Sequence, residues 1–145
     1  MGNLKIQLKP NERIYLNGAV VRVDRKVTIE LVNDVVFLLE SHVMKEEGAT
    51  TPLRQIYFII QAMLMEPARK AMALRVYTEL NAKFSRECRS NAMSDGLREV
   101  QRLVELERPF DALKFIRALL PVEEEEDAAR AAAGGGRKVL RPALA

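Results

Sequence analysis

Residues Lys9 to Glu40 read KPNERIYLNGAVVRVDRKVTIELVNDVVFLLE, and the fold is decided there. Apolar and polar residues alternate with period two, and turn dipeptides interrupt the alternation at regular intervals, the pattern of short antiparallel strands. Asn17-Gly18 is the pivotal turn, because a two-residue hairpin loop needs positive φ at both central positions and Asn-Gly tolerates it at least cost. With that loop in place the register follows. Leu16 faces Ala19, Tyr15 faces Val20, Ile14 faces Val21 and Arg13 faces Arg22. Two arginines directly across a ladder repel by a few tenths of a kcal/mol or more when nothing lies between them. Either Glu12, Asp24 or solvent relieves them, or an anion such as an RNA phosphate sits there with Tyr15 beside it as a stacking surface.

Upstream, Leu4, Ile6 and Leu8 alternate with Lys5, Gln7 and Lys9, which predicts a first strand over residues 3 to 8, followed by a turn at Lys9-Pro10-Asn11-Glu12. Downstream, Lys26 to Leu31 repeats the alternation, Asn33-Asp34 supplies a turn, and Val35 to Leu39 is apolar on both faces, as in a central, covered strand. The outward side chains of these strands and turns are Lys5, Lys9, Arg13, Tyr15, Arg22, Arg25 and Lys26. This set is more basic than the segment around it.

The rest of the chain reads as helix. Thr51-Pro52 suits an N-cap and a first helical position. The helix from Pro52 to about Glu66 carries Leu53, Ile56, Tyr57, Phe58, Ile59, Ile60, Met63 and Leu64 around most of its circumference, so it must be enclosed. A second helix runs from Pro67 to about Arg86, and Ser90 to Ser94 forms a polar break. A third spans roughly Asp95 to Glu107 and turns at Arg108-Pro109 into a fourth that ends at Pro121. Glu123 to Asp127, the alanines that follow, Gly134 to Gly136 and the last basic stretch are biased in composition and predict a disordered tail. The expected architecture is α+β: an antiparallel β subdomain over 1–44, a four-helix region over 45–121 and a disordered tail over 122–145.

The 145 residues suffice for one ordinary domain with a real core, and 48% apolar with 30% charged residues is a soluble globular composition. The net charge of +3 is too small to announce a nucleic-acid binder, so any such surface has to come from clustering on one face. A single cysteine, Cys88, excludes an intrachain disulfide, and the start of the chain lacks a signal pattern, so the expected compartment is the cytoplasm. Leu53 to Met65 would span about 20 Å as a helix and carries Arg54, Gln55 and Gln61, which argues for a buried helix and against a membrane partner. One histidine and one cysteine cannot supply three His/Cys metal ligands, and Gly134 to Gly136 lacks the strand before and the Lys-Ser/Thr after that a phosphate loop needs. No catalytic residues, metal or cofactor are therefore expected, and no enzymatic activity.

Two functions remain from the residues alone. One is an RNA-binding regulator that grips a leader with its β subdomain; the other is a protein-interaction adaptor acting through the helix at 52–66 or the helical hairpin at 95–120. LKPNERIYLNGAVVRVDR (Leu8 to Arg25), LLESHVM (Leu38 to Met44) with ATTPLRQIYFIIQ (Ala49 to Gln61), and ALKFIRALLPVE (Ala112 to Glu123) resemble the FlbT family of flagellum biosynthesis regulators over about residues 4 to 123. The resemblance implies a post-transcriptional repressor of flagellin synthesis in the bacterial cytoplasm. It would act on the 5′ untranslated region of flagellin mRNA and promote its decay. The β segment is also distantly similar to the CsrA-type translational regulators, which are β-rich dimers that bind leader RNA, through its turn-strand-NG-strand pattern alone. The expected partners are the flagellin mRNA leader, a second copy of the chain as a homodimer, and a protein of flagellar regulation. Joined to the pleat geometry, this places Arg13, Arg22, Arg25 and Lys26 on phosphate, Lys5 and Lys9 beside them, and Tyr15 under a base.

Overall fold

The computed structural model describes residues 3–33 and 35–133. Five strands, β1 (Leu4–Leu8), β2 (Arg13–Leu16), β3 (Ala19–Arg22), β4 (Val27–Leu31) and β5 (Phe37–Leu39), precede four helices, α1 (Pro52–Met65), α2 (Lys70–Glu87), α3 (Asn91–Glu105) and α4 (Pro109–Ala132). The α+β class is as expected. Part of the Asn33-Asp34 turn, and the tail from residue 134 including Gly134 to Gly136, lie outside the described residues.

Asn17 (φ 50°) and Gly18 (φ 88°) both take positive φ, and the β2–β3 register is Arg13↔Arg22, Ile14↔Val21, Tyr15↔Val20 and Leu16↔Ala19. The other pairings divide the strands into two sheets. β1 pairs only with β4, whereas β2 lies between β3 and β5. Alternation then assigns the layers. Ile14, Leu16, Val21, Phe37 and Leu39 cluster with Ile6, Leu8, Val27 and Ile29 between the two sheets, while Tyr15 and Leu38 on the opposite face of β2 and β5 join the helical core. The three-stranded sheet is thus the middle layer. β5 is its edge and not its centre, and Val36 just before it remains 39% exposed, because the apolar run supplies only three paired residues.

α1 is enclosed by its own chain. Leu53, Ile56, Tyr57, Ile60, Met63 and Leu64 are buried among α2, α4 and the sheet. Its buried polar groups fasten the loop that precedes it. Gln61 Nε2 donates to the Met44 carbonyl (2.9 Å) and Gln61 Oε1 accepts from the Met44 N–H (2.6 Å), a two-point clip that mimics a β bridge. One turn earlier the Tyr57 hydroxyl donates to the His42 carbonyl (2.6 Å). At the far side of the sheet, Phe37 and Phe110 stack with ring centroids 4.8 Å apart and tie β5 to the start of α4.

The α3–α4 connection ends α3 with Glu107 at φ 57°. Glu107 N–H donates to the Val104 carbonyl and Arg108 N–H to that of Leu103, the paired bonds of a Schellman end.

α4 departs from expectation, since it runs through Pro121 to Ala132 instead of ending there. An interior proline removes one backbone hydrogen bond and costs about 3 kcal/mol, so something beyond propensity holds the second half helical. The acidic run does this. Glu123 is buried; its carboxylate accepts from the Thr51 hydroxyl and from the Leu53 N–H (3.0 Å), capping α1 alongside the Thr51 side chain, which accepts from Arg54 N–H. Glu124 pairs with Arg54 (2.6 Å), and Glu126 accepts from the hydroxyl of Ser90, the N-cap of α3 (2.6 Å). Carboxylates at helix N-termini satisfy orphan N–H groups and complement the helix dipole. The presumed solvated tail is, as far as Ala133, a clasp across two helix starts.

Two outcomes follow from these contacts. Gln61→Leu keeps the volume and strands the Met44 N–H and carbonyl, so it should cost about 1–3 kcal/mol and lower the melting temperature; an unchanged melt would mean the clip carries no weight. The second concerns Glu123, whose carboxyl is pushed above its ordinary 4.5 by burial, against the pull of the Thr51 and Leu53 bonds. Stability tied to a raised carboxyl is fully present below its unfolded value and is lost as pH climbs through the folded one. The melting temperature of Glu123→Gln relative to wild type should therefore rise from pH 4.5 to 7, while Glu123→Ala, lacking both caps, melts lower throughout. A Gln difference that falls with pH would reverse the assignment.

Candidate nucleic-acid interface

The two crossings between sheets, from β1 to β2 and from β3 to β4, lie at the same end of the β layers. Asn11 N–H donates to the Val23 carbonyl (2.7 Å) and Val23 N–H to that of Glu12 (3.2 Å), so the β2–β3 ladder runs on into both corners. Leu8↔Val27 ends the other ladder, which puts Lys9 and Lys26 in the next opposed positions. Lys9, Arg13, Arg22, Arg25 and Lys26 therefore all lie at this end of the β layers, and all five are exposed. Their acidic neighbours are Glu12, Asp24 and, beside Arg13 by the β2–β5 register, Glu40. Glu12 Oε1 accepts from the Lys9 N–H (2.9 Å) and so closes the turn built on Asn11, at φ 66°. Asp24 is engaged by Arg25 (3.1 Å), whose guanidinium holds its carboxyl below the usual range.

Arg13 and Arg22 are direct cross-strand partners on one face, and among the described residues neither side chain has an ion pair or hydrogen bond. Of the nearby carboxylates, Glu12 and Asp24 are committed elsewhere, and Glu40, brought beside Arg13 by the β2–β5 register, makes no ion pair with it among the described residues. An anion placed between the two guanidiniums would relieve their repulsion and meet fork-shaped donors on both sides.

The remaining two candidates are placed differently. Lys5 projects from the outer face of the β1–β4 sheet opposite Glu30, since Ile6 and Leu8 take the inner face; it is separated from the Arg13 face by a whole layer. The single outward face expected from alternation is in fact two faces, because alternation tells sides apart but not which sheet a strand joins. Tyr15 shares the face of Arg13, yet its ring is half-buried against the helical core, so it anchors β2 to the helices and is not an open stacking platform.

A cleft of about 530 Å³ lies elsewhere, among Leu53, Phe84, Cys88, Met93, Leu97 and the acidic side of α4. Its carboxylates Glu123 and Glu126 are in use as caps, and the Cys88 thiol donates to the Ser90 carbonyl (3.4 Å). Among the described residues no group of three His, Cys, Asp or Glu could hold a metal ion, and no helix is long and apolar enough to cross a membrane.

Comparison with known proteins gives a match to the family described as flagellar protein FlbT over residues 4–126. The chain belongs to the FlbT family. A relative from Bradyrhizobium diazoefficiens, named probable flagellum biosynthesis repressor protein FlbT 2, is 53% identical over 121 residues, covering 83% of this chain and 89% of its own. Probable flagellum biosynthesis repressor proteins FlbT from Mesorhizobium japonicum and Rhizobium johnstonii are 50% and 47% identical, each covering 83% of this chain, and 82% and 81% of their own. No solved structure matches. The FlbT match extends past Glu123 to residue 126 and so takes in Glu124 and Glu126 of the clasp, which the resemblance read from the sequence had left outside. The available signal was spacing: Glu123 and Glu126 stand three apart and continue the inner face of Ile116 and Leu119.

If Tyr15 anchors β2, Tyr15→Ala should cost about 2 kcal/mol and Tyr15→Phe almost nothing, because the hydroxyl has no partner among the described residues. Equal melting curves for Tyr15→Ala and wild type would return the ring to solvent.

Proposed function

We propose that this protein is a post-transcriptional repressor of flagellin synthesis that binds the 5′ untranslated region of flagellin mRNA in the bacterial cytoplasm and promotes its degradation. The curated relatives carry the name of flagellum biosynthesis repressor. The observation that carries the RNA reading is the pairing of Arg13 with Arg22, with no carboxylate bound to either arginine among the described residues and with Lys9, Arg25 and Lys26 at the same end of the strands. Phosphate is the anion that such an arrangement suits, and a single-stranded or hairpin leader offers a row of them. Lys5 lies behind this surface and contributes at long range only. The adaptor reading has less to stand on, because α1 spends Leu53, Ile56, Ile60 and Leu64 inside the chain.

Electrophoretic shift of a flagellin leader transcript at several salt concentrations tests this. Contacts to about four or five phosphates give a slope of log K against log salt of about −3. Arg13→Glu with Arg22→Glu should weaken binding at least tenfold and leave the melting curve in place, since both side chains are exposed. Undiminished binding by the double variant would discard this surface.

A further inference from the structure

Arg117, midway along α4, is half-buried, and its Nη1 donates to the Tyr57 hydroxyl (3.0 Å). That hydroxyl already donates to the His42 carbonyl (2.6 Å), so the three groups form a short relay from α4 through α1 to the turn after β5. Other half-buried arginine in the helices is neutralised: Arg54 by Glu124 at 2.6 Å. Arg117 has no carboxylate among the described residues and no partner but the neutral phenol. A guanidinium carries five N–H donors in a fixed fork, and withdrawing it partly from water against one neutral acceptor leaves charge and donors uncompensated. The uncompensated charge is felt nearby. His42 is pushed down first by burial and then by Arg117.

The position of this relay matters as much as its charge. Ile14↔Leu39 pairs β2 with β5, so continuing the antiparallel register brings Glu40 beside Arg13, and His42 closes the short helical turn Glu40–His42 that follows. Arg117 is therefore next to the basic end, across one turn of chain, with exposed Lys114 on the same side of α4 and exposed Glu40 as the acid at the join.

We propose that Arg117 is a phosphate-binding residue: the leader RNA, on leaving the Arg13–Arg22 pair, crosses the Glu40–His42 turn and places a backbone phosphate on the guanidinium that Tyr57 holds in position. This rests on the RNA reading above, and the two can fail separately. The test measures leader binding against salt for wild type, Arg117→Gln, Arg117→Lys and Tyr57→Phe, with Arg98→Gln as an exposed control on α3. Melting curves confirm that each variant is folded at the binding temperature. Arg117→Gln should lose about tenfold in affinity and flatten the salt slope by about 0.7, one phosphate contact. Arg117→Lys should keep the slope while losing several-fold, since the charge stays and the fork goes. Tyr57→Phe should also keep the slope with a smaller loss, and Arg98→Gln should match wild type. If wild type shows no salt-dependent binding, the proposed function falls. If wild type binds and Arg117→Gln keeps its affinity and slope, only the role of Arg117 is overturned. Should Arg117→Gln fail to fold, wild-type affinity in both Arg117→Lys and Tyr57→Phe would overturn it equally.

Discussion

α1 has no face to give to water, and the rest of the chain is arranged around that constraint. Fourteen residues with apolar side chains on nearly every side must be covered, and one neighbouring element cannot do it. α2, α4 and the middle sheet share the task, and polar bonds at the two ends of α1 set how they meet. Toward the C-terminal end Gln61, and Tyr57 one turn before it, draw in residues 44 and 42, which positions β5 and hence β2. At the N-terminal end the Thr51 hydroxyl and the Leu53 N–H meet Glu123, which positions the second half of α4. A buried helix start would otherwise leave orphan donors at a cost of about 1–3 kcal/mol each. That cost is comparable with the penalty of carrying Pro121 inside α4, which explains how a helix with an interior proline persists.

The parts of the fold that were legible in the sequence are those fixed by short-range geometry. Asn17-Gly18 dictates a two-residue loop, and a two-residue loop leaves one register, so the Arg13–Arg22 pairing could be read residue by residue. Thr51-Pro52 marks a helix start for equally local reasons. What escaped was decided by distant partners. A run of four glutamates reads as solvated until Thr51, Leu53, Arg54 and Ser90 are known to lie against it, and those residues are 36 to 72 positions away. Division of the strands into two sheets likewise depends on the crossings at 9–12 and 24–26, and period-two alternation is blind to it. Lys5 was misplaced for that reason, and Tyr15 was misread because a ring beside an arginine looks the same in sequence whether solvent or helix covers it.

Charge is partitioned along the molecule. Three of the acidic residues of α4, Glu123, Glu124 and Glu126, are used against a helix start or an arginine, so that their charge is engaged within the molecule. The basic residues at the β end face solvent, and of their acidic neighbours Glu12 caps a turn and Asp24 is bound by Arg25, while Glu40 stays exposed beside Arg13. A net charge of only +3 therefore conceals a local positive surface. Bulk charge is a poor guide when opposite signs are segregated by the fold.

The anchoring of Tyr15 bears on how such a surface would work. Arg13 and Tyr15 stand two apart on one face of β2, and the ring of Tyr15 is packed into the helical core. Arg13 is consequently carried by a strand fixed on one side by helices and on the other by Ile14, which is fully buried between the sheets, and Arg22 is held to it by the β2–β3 ladder. A phosphate arriving there meets donors whose backbone is already in place, so less of the interaction is consumed in ordering the protein than if the arginines lay on a free loop. Arg117 is attached to the same frame by Tyr57 and His42 rather than by the strand. A ligand that touched both would bridge α4 and β2, and because only the folded arrangement brings those elements together, its binding would add directly to the stability of the fold.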